Sequence, residues 1–569
     1  MPTIELSKKD LENQIGKMLS QQELEQVLPY AKCEYDGGEG DLIKADCKDT
    51  NRPDLWCVEG IARQIAGGLG KQTGVPQIKV HKSDYLVRVD PQLKNIRPRT
   101  ACAVIKNIKI TDEVLKQIIQ MQEKISGSFG RNRKEAAIGV YDFDKIKWPI
   151  NYSAFDPNKL KFTPLEMNVP LTLRQILVKH PKGREFAHLL EGHKKYPVFI
   201  DSDKNVLSMP PIINSNYSGK VTSNTKNLFI EVSGLSDKFI LTALTSFVAA
   251  LSDRGGQIYE VHVKYGLSEK ICSPDFKFGK IKVSKDKFVS LTGLDLTSKQ
   301  IVDLLKNARL NATVSGLTIN VEYPAYRSDI MHEVDIIEDA LIAYGYNNIE
   351  PEIPKMSVIG EETTLEVFSR KIREFMIGFG AQEILSFTLT NKFNLFSRMN
   401  MISDKSAASQ LKPTMNLENQ KCVEIANPVS QNWAVLRNWV IPSLIEFLSN
   451  NTTKEYPQRI FEVGDVVILN PKAETSTDTV RRLCFATTHK NANFTEIKQV
   501  LRSLLDGLAI QFTVDETEHD SFIPGRVGAI KVGEKQIGII GDIHPQVLKN
   551  WKLDNPIAVF EINLSQLLN

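Results

Sequence analysis

Apolar positions along this chain recur in two periods, and the shifts between helical and alternating patterns divide it into four regions. The first, residues 1–92, opens with a polar helix and then carries Asp49-Thr-Asn-Arg-Pro-Asp-Leu-Trp-Cys-Val-Glu-Gly-Ile-Ala-Arg63. Asn51 and Pro53 predict a turn, Asp54 is placed to cap, and Leu55, Val58, Ile61 and Ile65 follow at helical spacing. Gly67, Gly68 and Gly70 are expected to stop that helix. The second region, 93–276, mixes strands over 101–110, 228–232 and 257–263 with helices over 112–126 and 236–251, the mark of an α+β domain. The third, 277–352, alternates short strands with a helix over 297–306 and ends in an acidic helix before Pro351 and Pro354. The fourth, 353–569, begins with Thr363-x-x-Glu366, a capping box, ahead of Leu365, Phe368, Ile372, Phe375 and Phe379 on one helical face. Gly378 and Gly380 end that helix, 383–390 reads as a strand, and further strands over 459–469, 481–488, 529–532 and 536–541 predict a large antiparallel-rich α+β domain.

Composition narrows this picture only slightly. The 569 residues are 42% hydrophobic and 24% charged, as in ordinary soluble globular proteins, and the net charge is +3. A nucleic-acid partner is therefore to be sought in local basic patches rather than in bulk charge. Seven cysteines are scattered without a C-x-x-C pair, which argues against a zinc ribbon and suits reduced thiols. The opening MPTIELSKKD has no apolar segment behind a basic head, so a cytoplasmic protein without a signal peptide is expected. The most apolar stretch, 239–251, is too short to span a bilayer and no membrane association is expected.

The densest chemistry lies in Tyr326-Arg-Ser-Asp-Ile-Met-His-Glu-Val-Asp-Ile-Ile-Glu-Asp-Ala-Leu-Ile-Ala-Tyr-Gly-Tyr346. On a helix, Val334, Ile337, Leu341 and Tyr344 form an apolar stripe, while Asp335, Glu338 and Asp339 stand at i, i+3 and i+4 on a neighbouring face. Asp329 can fold back over that face. Carboxylates so placed repel unless a cation lies between them, and Mg2+ takes oxygen ligands of this kind. The plain alternative is a solvated acidic first turn that complements the helix dipole.

This segment resembles the helical end of the winged-helix-like domain in phenylalanyl-tRNA synthetase β subunits of the archaeal and eukaryotic-cytosolic type. The resemblance implies that Asp329, Asp335, Glu338 and Asp339 hold Mg2+ at the contact with the α subunit. It extends to Asn51-Arg-Pro-Asp-Leu-x3-Glu-Gly-Ile-Ala-Arg63, to Asn427-Pro-x8-Arg437 with Ile441-Pro-Ser-Leu, and to Phe461-Glu-Val-Gly464, and with the editing-type region below it covers all four regions in order. The implied fold is a multidomain α+β chain: an N-terminal α/β module, an α+β editing-type domain, the winged-helix-like domain, and a degenerate class II synthetase-like antiparallel domain. The implied function is that of a phenylalanine–tRNA ligase β subunit in an α2β2 heterotetramer, supporting ATP-dependent charging of tRNA(Phe).

In region two, Leu207-Ser-Met-Pro-Pro-Ile-Ile-Asn-Ser-Asn216 aims Asn214 and Ser215 from a proline-fixed loop. Glu231 falls inside the apolar run Asn227-Leu-Phe-Ile-Glu-Val232, where it is either a solvent-facing strand residue or a buried carboxylate in need of a partner. The family resemblance implies a domain that hydrolyses mischarged Tyr-tRNA(Phe). An apolar pocket rejects an added hydroxyl only about a hundredfold, so a second site that reads the hydroxyl is needed. Glu231 is the expected hydroxyl acceptor, with Ser208, Asn214 and Ser215 orienting the ester and a water. No Ser–His–Asp or Cys–His set supplies a general base. Lys179, Lys182, Arg184, Lys194, Lys195, Arg131, Arg133 and Lys134 are candidate guides for the tRNA acceptor end.

In region four, Arg459-Ile-Phe-Glu462 echoes the second class II motif with shifted spacing, and neither a third motif nor a P-loop is recognisable. Activation of phenylalanine is accordingly expected on the α subunit. The oligonucleotide-binding and anticodon-binding modules of longer bacterial β subunits have no counterpart in the pattern. Two other readings remain: a nucleic-acid-binding regulatory protein built on the winged-helix-like region, and a free-standing metal-dependent hydrolase using the acids between 329 and 339.

Overall fold

The computed structural model describes residues 2–266, 269–401 and 421–568. The chain divides into two compact units, Met1–Ile353 and Pro354–Asn569.

In the first unit an eleven-stranded sheet carries most of the weight. Its main path runs from Ile213–Asn214 through Val206–Met209, Tyr196–Ile200, Ile150–Phe155, Leu86–Val89, Gln257–Tyr265, Arg99–Lys106 and Leu228–Gly234 to the edge strand Ala136–Asp142. Strand 228–234 is antiparallel to both neighbours, and every one of its residues is buried. Leu228, Ile230 and Val232 pack toward the helix Asp237–Asp253, with Leu244 and Phe247 in the same core. Phe229 faces a second core with Val104, Tyr141, Tyr152 and Phe199. Fully burying side chains of this size stabilises by roughly 1.5–3 kcal/mol each, which makes both faces of the strand costly to open. The solvent-facing alternative for Glu231 is therefore ruled out by its surroundings.

Several local expectations are corrected. Strand Arg99–Lys106 stops short of residue 110, because Asn107 takes a left-handed φ of 58° and leaves the sheet. Strands Val80–His81 and Leu86–Val89 pair with Gln257–Tyr265, so the sheet recruits residues from before position 92. Asp54 does not cap a helix: its carboxylate is spent on Arg52, and the sulfur of Cys57 accepts from Gly60 N instead. Helix Val58–Gly68 ends within the expected glycine stretch, with Gly70 at a left-handed φ of 69° just beyond it. The bareness of Gly67 and Gly68 serves close packing, since a Cβ on Gly68 would lie 2.3 Å from the Tyr30 ring and one on Gly67 2.4 Å from the Asn307 carbonyl oxygen.

A three-stranded antiparallel sheet, Gly279–Ser284, Thr318–Tyr323 and Asn311–Ser315, closes the unit with helices Lys285–Thr292, Ser298–Asn307 and Glu333–Tyr344. Phe288, Ile301, Leu305, Ile319, Ile336 and Ile337 share its core. The expected stripe on the last helix is rotated: Val334 is exposed, and Asp339 takes a buried position.

The second unit is built on a seven-stranded sheet, antiparallel except where Gln382–Glu383 joins Gln458–Leu469 in parallel. Helices Thr364–Gly378 and Phe494–Gly507 cover one face through Ile372, Met376, Leu501 and Leu504 against Phe461, Phe485 and Phe560. Helices Ile441–Asn450 and Pro545–Asn550 cover the other through Leu444, Leu448 and Val547 against Cys484, Ala486 and Val559. The single strand expected over 383–390 is two short ones in different sheets, because Leu389–Thr390 pairs with Val435–Leu436. Among the described residues, no helix is long and apolar enough to cross a membrane.

Candidate functional site

Glu231 sits at the centre of strand Leu228–Gly234 and is only 2% exposed. Burial pushes its carboxyl up to about 8, and the Tyr141 hydroxyl, the Arg97 charge and the nearby Ser233 hydroxyl oppose that rise only in part. The Tyr141 hydroxyl lies 3.0 Å from Glu231 Oε1 and 2.8 Å from Ser208 Oγ. A phenol has one proton to give, so donating to the carboxyl leaves it to accept from Ser208. Glu231 Oε2 is buried with no hydrogen-bond partner. An oxygen left in that state is costly unless a ligand completes it.

A cavity of about 530 Å³ opens onto this carboxyl. That volume lies within the range of roughly 300–1,000 Å³ common for small-ligand sites. Leu115, Ile118 and Ile119 of helix Asp112–Lys124 form one apolar wall, and Pro210 to Asn214 form another. Glu231 stands opposite Gly139, its register partner in the edge strand. A Cβ there would lie 2.2 Å from the Tyr141 hydroxyl and 2.6 Å from Glu231 Oε1.

The edge strand Ala136–Asp142 has no sheet neighbour on its outer side, and side chains answer its outward groups. Gln122 Nε2 donates to the Ile138 carbonyl at 2.7 Å, Asn214 Nδ2 donates to the Val140 carbonyl at 3.3 Å, and Ile138 N donates to Ser126 Oγ at 3.3 Å. Of the residues expected here, Asn214 and Glu231 line the cavity. Ser208 stands behind the wall as the second partner of Tyr141, and Ser215 is turned away, its hydroxyl accepting from Tyr217 N. Tyr141, Gly139, Gln122 and Arg97 carry no motif: Gly139 and Tyr141 show only as one glycine and one tyrosine in an otherwise apolar run, and Gln122 and Arg97 have no distinguishing pattern around them.

Basic residues gather unevenly. Arg133 and Lys182 line the cavity, as does Lys220, which had not been singled out. Arg133 is a brace: its guanidinium donates to the carbonyls of Pro211 and Ile212 and pairs with Glu123. Lys182 is paired with Glu185, and Lys220 is exposed.

Three of the four candidate ligands, Asp329, Glu338 and Asp339, meet cations of the protein itself. Arg327 binds Asp329 and Asp339 at 2.7 and 2.6 Å, and Arg52 adds a contact to Asp329 at 3.9 Å. Lys32 reaches Asp49, Glu338 and Asp339 at 2.9, 3.0 and 3.6 Å. Burial alone would raise Asp329, but the guanidiniums of Arg327 and Arg52 outweigh it and hold the carboxyl below the usual range. Asp335 caps its own helix, with Oδ2 accepting from Met331 N and His332 N at 2.7 Å each. The four carboxylates are thus not gathered into one cage: the only set of three or more potential ligands with donor atoms mutually within 4.8 Å, among the described residues, is Glu260, His262 and Cys272. Asp329 and Asp339 have their charge answered by Arg327, whereas Asp335 Oδ1 and the half-exposed Glu338 keep open oxygens suited to a hydrated Mg2+.

In the second unit, two of the sequence motifs converge on one buried brace. Arg437 donates to Glu462 Oε1 at 2.6 Å, to Ser386 Oγ at 2.7 Å and to the Asp465 carbonyl at 3.0 Å, while Ser386 also bonds Glu462. A Cβ on Gly464 would lie 2.4 Å from Arg437 Nη2, which explains the glycine of that motif. Arg459 is peripheral and pairs with Glu496.

Comparison with known proteins agrees along the whole chain. Residues 349–564 match the family model described as the phenylalanyl tRNA synthetase beta chain CLM domain, and 281–346 match the tRNA synthetase B5 domain. The phenylalanine–tRNA ligase beta subunit of Pyrococcus horikoshii is 46% identical over 571 residues, covering 100% of both chains. The subunit of that name from Methanosphaera stadtmanae is 36% identical, again over 100% of both. A crystal structure of an N-terminal fragment of the Pyrococcus horikoshii phenylalanyl-tRNA synthetase β subunit aligns with a TM-score of 0.59 and 46% identity, covering 61% of this chain and 100% of the fragment.

Proposed function

This chain belongs to the phenylalanine–tRNA ligase β-subunit family, and from that premise we propose that the cavity at Glu231 removes tyrosine wrongly joined to tRNA(Phe). A β subunit of this ligase works with an α subunit in the ATP-dependent charging of tRNA(Phe). The observation that carries the editing reading is the unpartnered Oε2 of Glu231, a residue that lines a cavity with an apolar wall of Leu115, Ile118 and Ile119. A tyrosyl ring entering along Leu115, Ile118 and Ile119 brings a hydroxyl to that oxygen. A phenylalanyl ring fills the same space and leaves the oxygen bare, a penalty of about 1–3 kcal/mol and so roughly tenfold to a hundredfold in selectivity.

Asn214, already bonded to the Val140 carbonyl, orients the ester and a water from the opposite wall. Ser208 acts through Tyr141, holding its hydroxyl so that the Glu231 carboxyl keeps one oxygen engaged and one open. Lys220 at the rim offers a charge to the acceptor-end phosphates. Magnesium, in this reading, is held near the α subunit by Glu338 and Asp335 with waters, while Asp329 and Asp339 stay neutralised by Arg327 behind them. The assembly is α2β2 and cytoplasmic, with an N-terminal module, an editing-type domain, a winged-helix-like domain and a class II-like domain that does not activate the amino acid.

The test is hydrolysis of Tyr-tRNA(Phe) by the α–β complex, with Phe-tRNA(Phe) as control. Native complex should release tyrosine rapidly and spare phenylalanine; Asn214→Ala should slow release, and Glu231→Ala should lose about tenfold or more of the selectivity. Equal survival of both esters in the native complex would overturn the reading.

A further inference from the structure

Glu260, His262 and Cys272 bring their ligand atoms within 4.8 Å of one another on the hairpin of strands Gln257–Tyr265 and Glu269–Ser273. The grouping follows from register. Residues 260 and 262 point to the same face of one strand, and Cys272 is the direct cross-strand partner of His262. None of the three belongs to the Glu231 cavity or to the acidic helix.

Each group is available for a ligand. His262 Nδ1 is buried without a hydrogen-bond partner, and its Nε2 stands 3.8 Å from Glu260 Oε1. The imidazole therefore spends neither nitrogen on a protein hydrogen bond, which is unusual for a partly buried histidine. Cys272 is the one exposed cysteine among seven. Burial and the neighbouring Glu260 carboxylate push its thiol up to about 11, so without a cation it stays protonated. Lys264 and Lys270, paired across the strands two residues further along, stand on the same face and oppose weak cation binding there. Only an ion that bonds the donors outright overcomes that opposition.

We propose that Glu260, His262 and Cys272 form a binding site for a borderline-soft divalent cation, with zinc as the ion of best fit. One carboxylate, one imidazole and one thiolate match the ligand preferences of zinc and leave a fourth tetrahedral position for water. Magnesium and calcium, which take oxygen ligands, are excluded by the thiolate and imidazole. Binding releases the Cys272 proton to solvent and forms the metal–sulfur bond, so affinity rises with pH until that proton is gone. The ion would pin the two strands at the rim of the sheet whose neighbouring strand, Arg99–Lys106, lies beside the one carrying Glu231.

The α–β complex, stripped with a chelator and kept in excess magnesium, should be titrated with cobalt(II) as a spectroscopic stand-in, then with zinc in competition. One equivalent of cobalt per chain with a thiolate-to-metal charge-transfer band, displaced by zinc, is expected. Cys272→Ser should abolish the band and His262→Gln should weaken binding at least about tenfold, with the tyrosine-releasing activity retained. Cobalt binding without the thiolate band, or equal affinity in Cys272→Ser, overturns the site. This outcome is independent of whether Glu231 edits.

Discussion

At Glu231 the physics of burial makes a measurable claim. Its carboxyl is raised to about 8 from 4.5, so the folded state favours the neutral form more than the unfolded chain does. The stability this group confers is fully present below the unfolded value near 4.5 and is lost as pH rises through about 8. Denaturant unfolding of the first unit across that window should show the loss, and Glu231→Gln, which has no proton to give up, should flatten it. Gly139 supplies a second residue-level expectation. Gly139→Ala puts a methyl against the Tyr141 hydroxyl and Glu231 Oε1, closing the approach to the carboxyl. Tyrosine release should fall by at least about tenfold, while melting shows a loss in the range of about 1–3 kcal/mol expected for overpacking. Glu231 and Asn214 were legible in the sequence because an acid in an apolar strand and an asparagine after two prolines break local rules. Tyr141 was not legible, since a tyrosine among Ile138, Val140 and Phe143 reads as ordinary core until its hydroxyl is seen to have two partners.

At the scale of elements, the acidic helix is fastened by ion pairs that no local pattern reveals. Lys32 lies 306 residues from Glu338 in sequence, Arg52 is similarly remote from Asp329, and Arg327 is itself buried. Removing one partner from such a set leaves bare buried charge and typically costs about 3–5 kcal/mol. Arg327→Met should therefore lower the unfolding free energy of the first unit by about that much, read by chemical denaturation with magnesium both present and absent. A loss under 1 kcal/mol would mean the network contributes little. Helix and strand positions were otherwise well marked by period. The departures at residues 54 and 107 share a cause: a local cue was overridden by an ion pair or by a backbone turn that leaves no mark in hydrophobicity.

For the whole molecule, family motifs in order made the family legible where composition could not. The second unit shows why those motifs need not mark catalysis, for Arg437, Glu462 and Gly464 are consumed in a buried brace. The same unit leaves Leu385 91% and Phe387 74% exposed, with Phe387 edge-on to the half-exposed Trp433. Apolar groups so bare suit a protein partner, and the α subunit is the one the family supplies. Leu385→Ser combined with Phe387→Ser should weaken α–β association by at least about tenfold in sedimentation or titration calorimetry, with the melting of the isolated chain unchanged. Undiminished association would remove this face from the contact.

The bonds from Gln122, Ser126 and Asn214 to the edge strand Ala136–Asp142 have one more consequence. A bare sheet edge is a template on which another chain can add a strand. Asn214 occupies one of the rungs such an intruder would use. Asn214→Ala should therefore bare part of that edge as well as slow the proposed hydrolysis, so a loss of soluble material on storage or heating is the expected companion of a loss of activity in this variant.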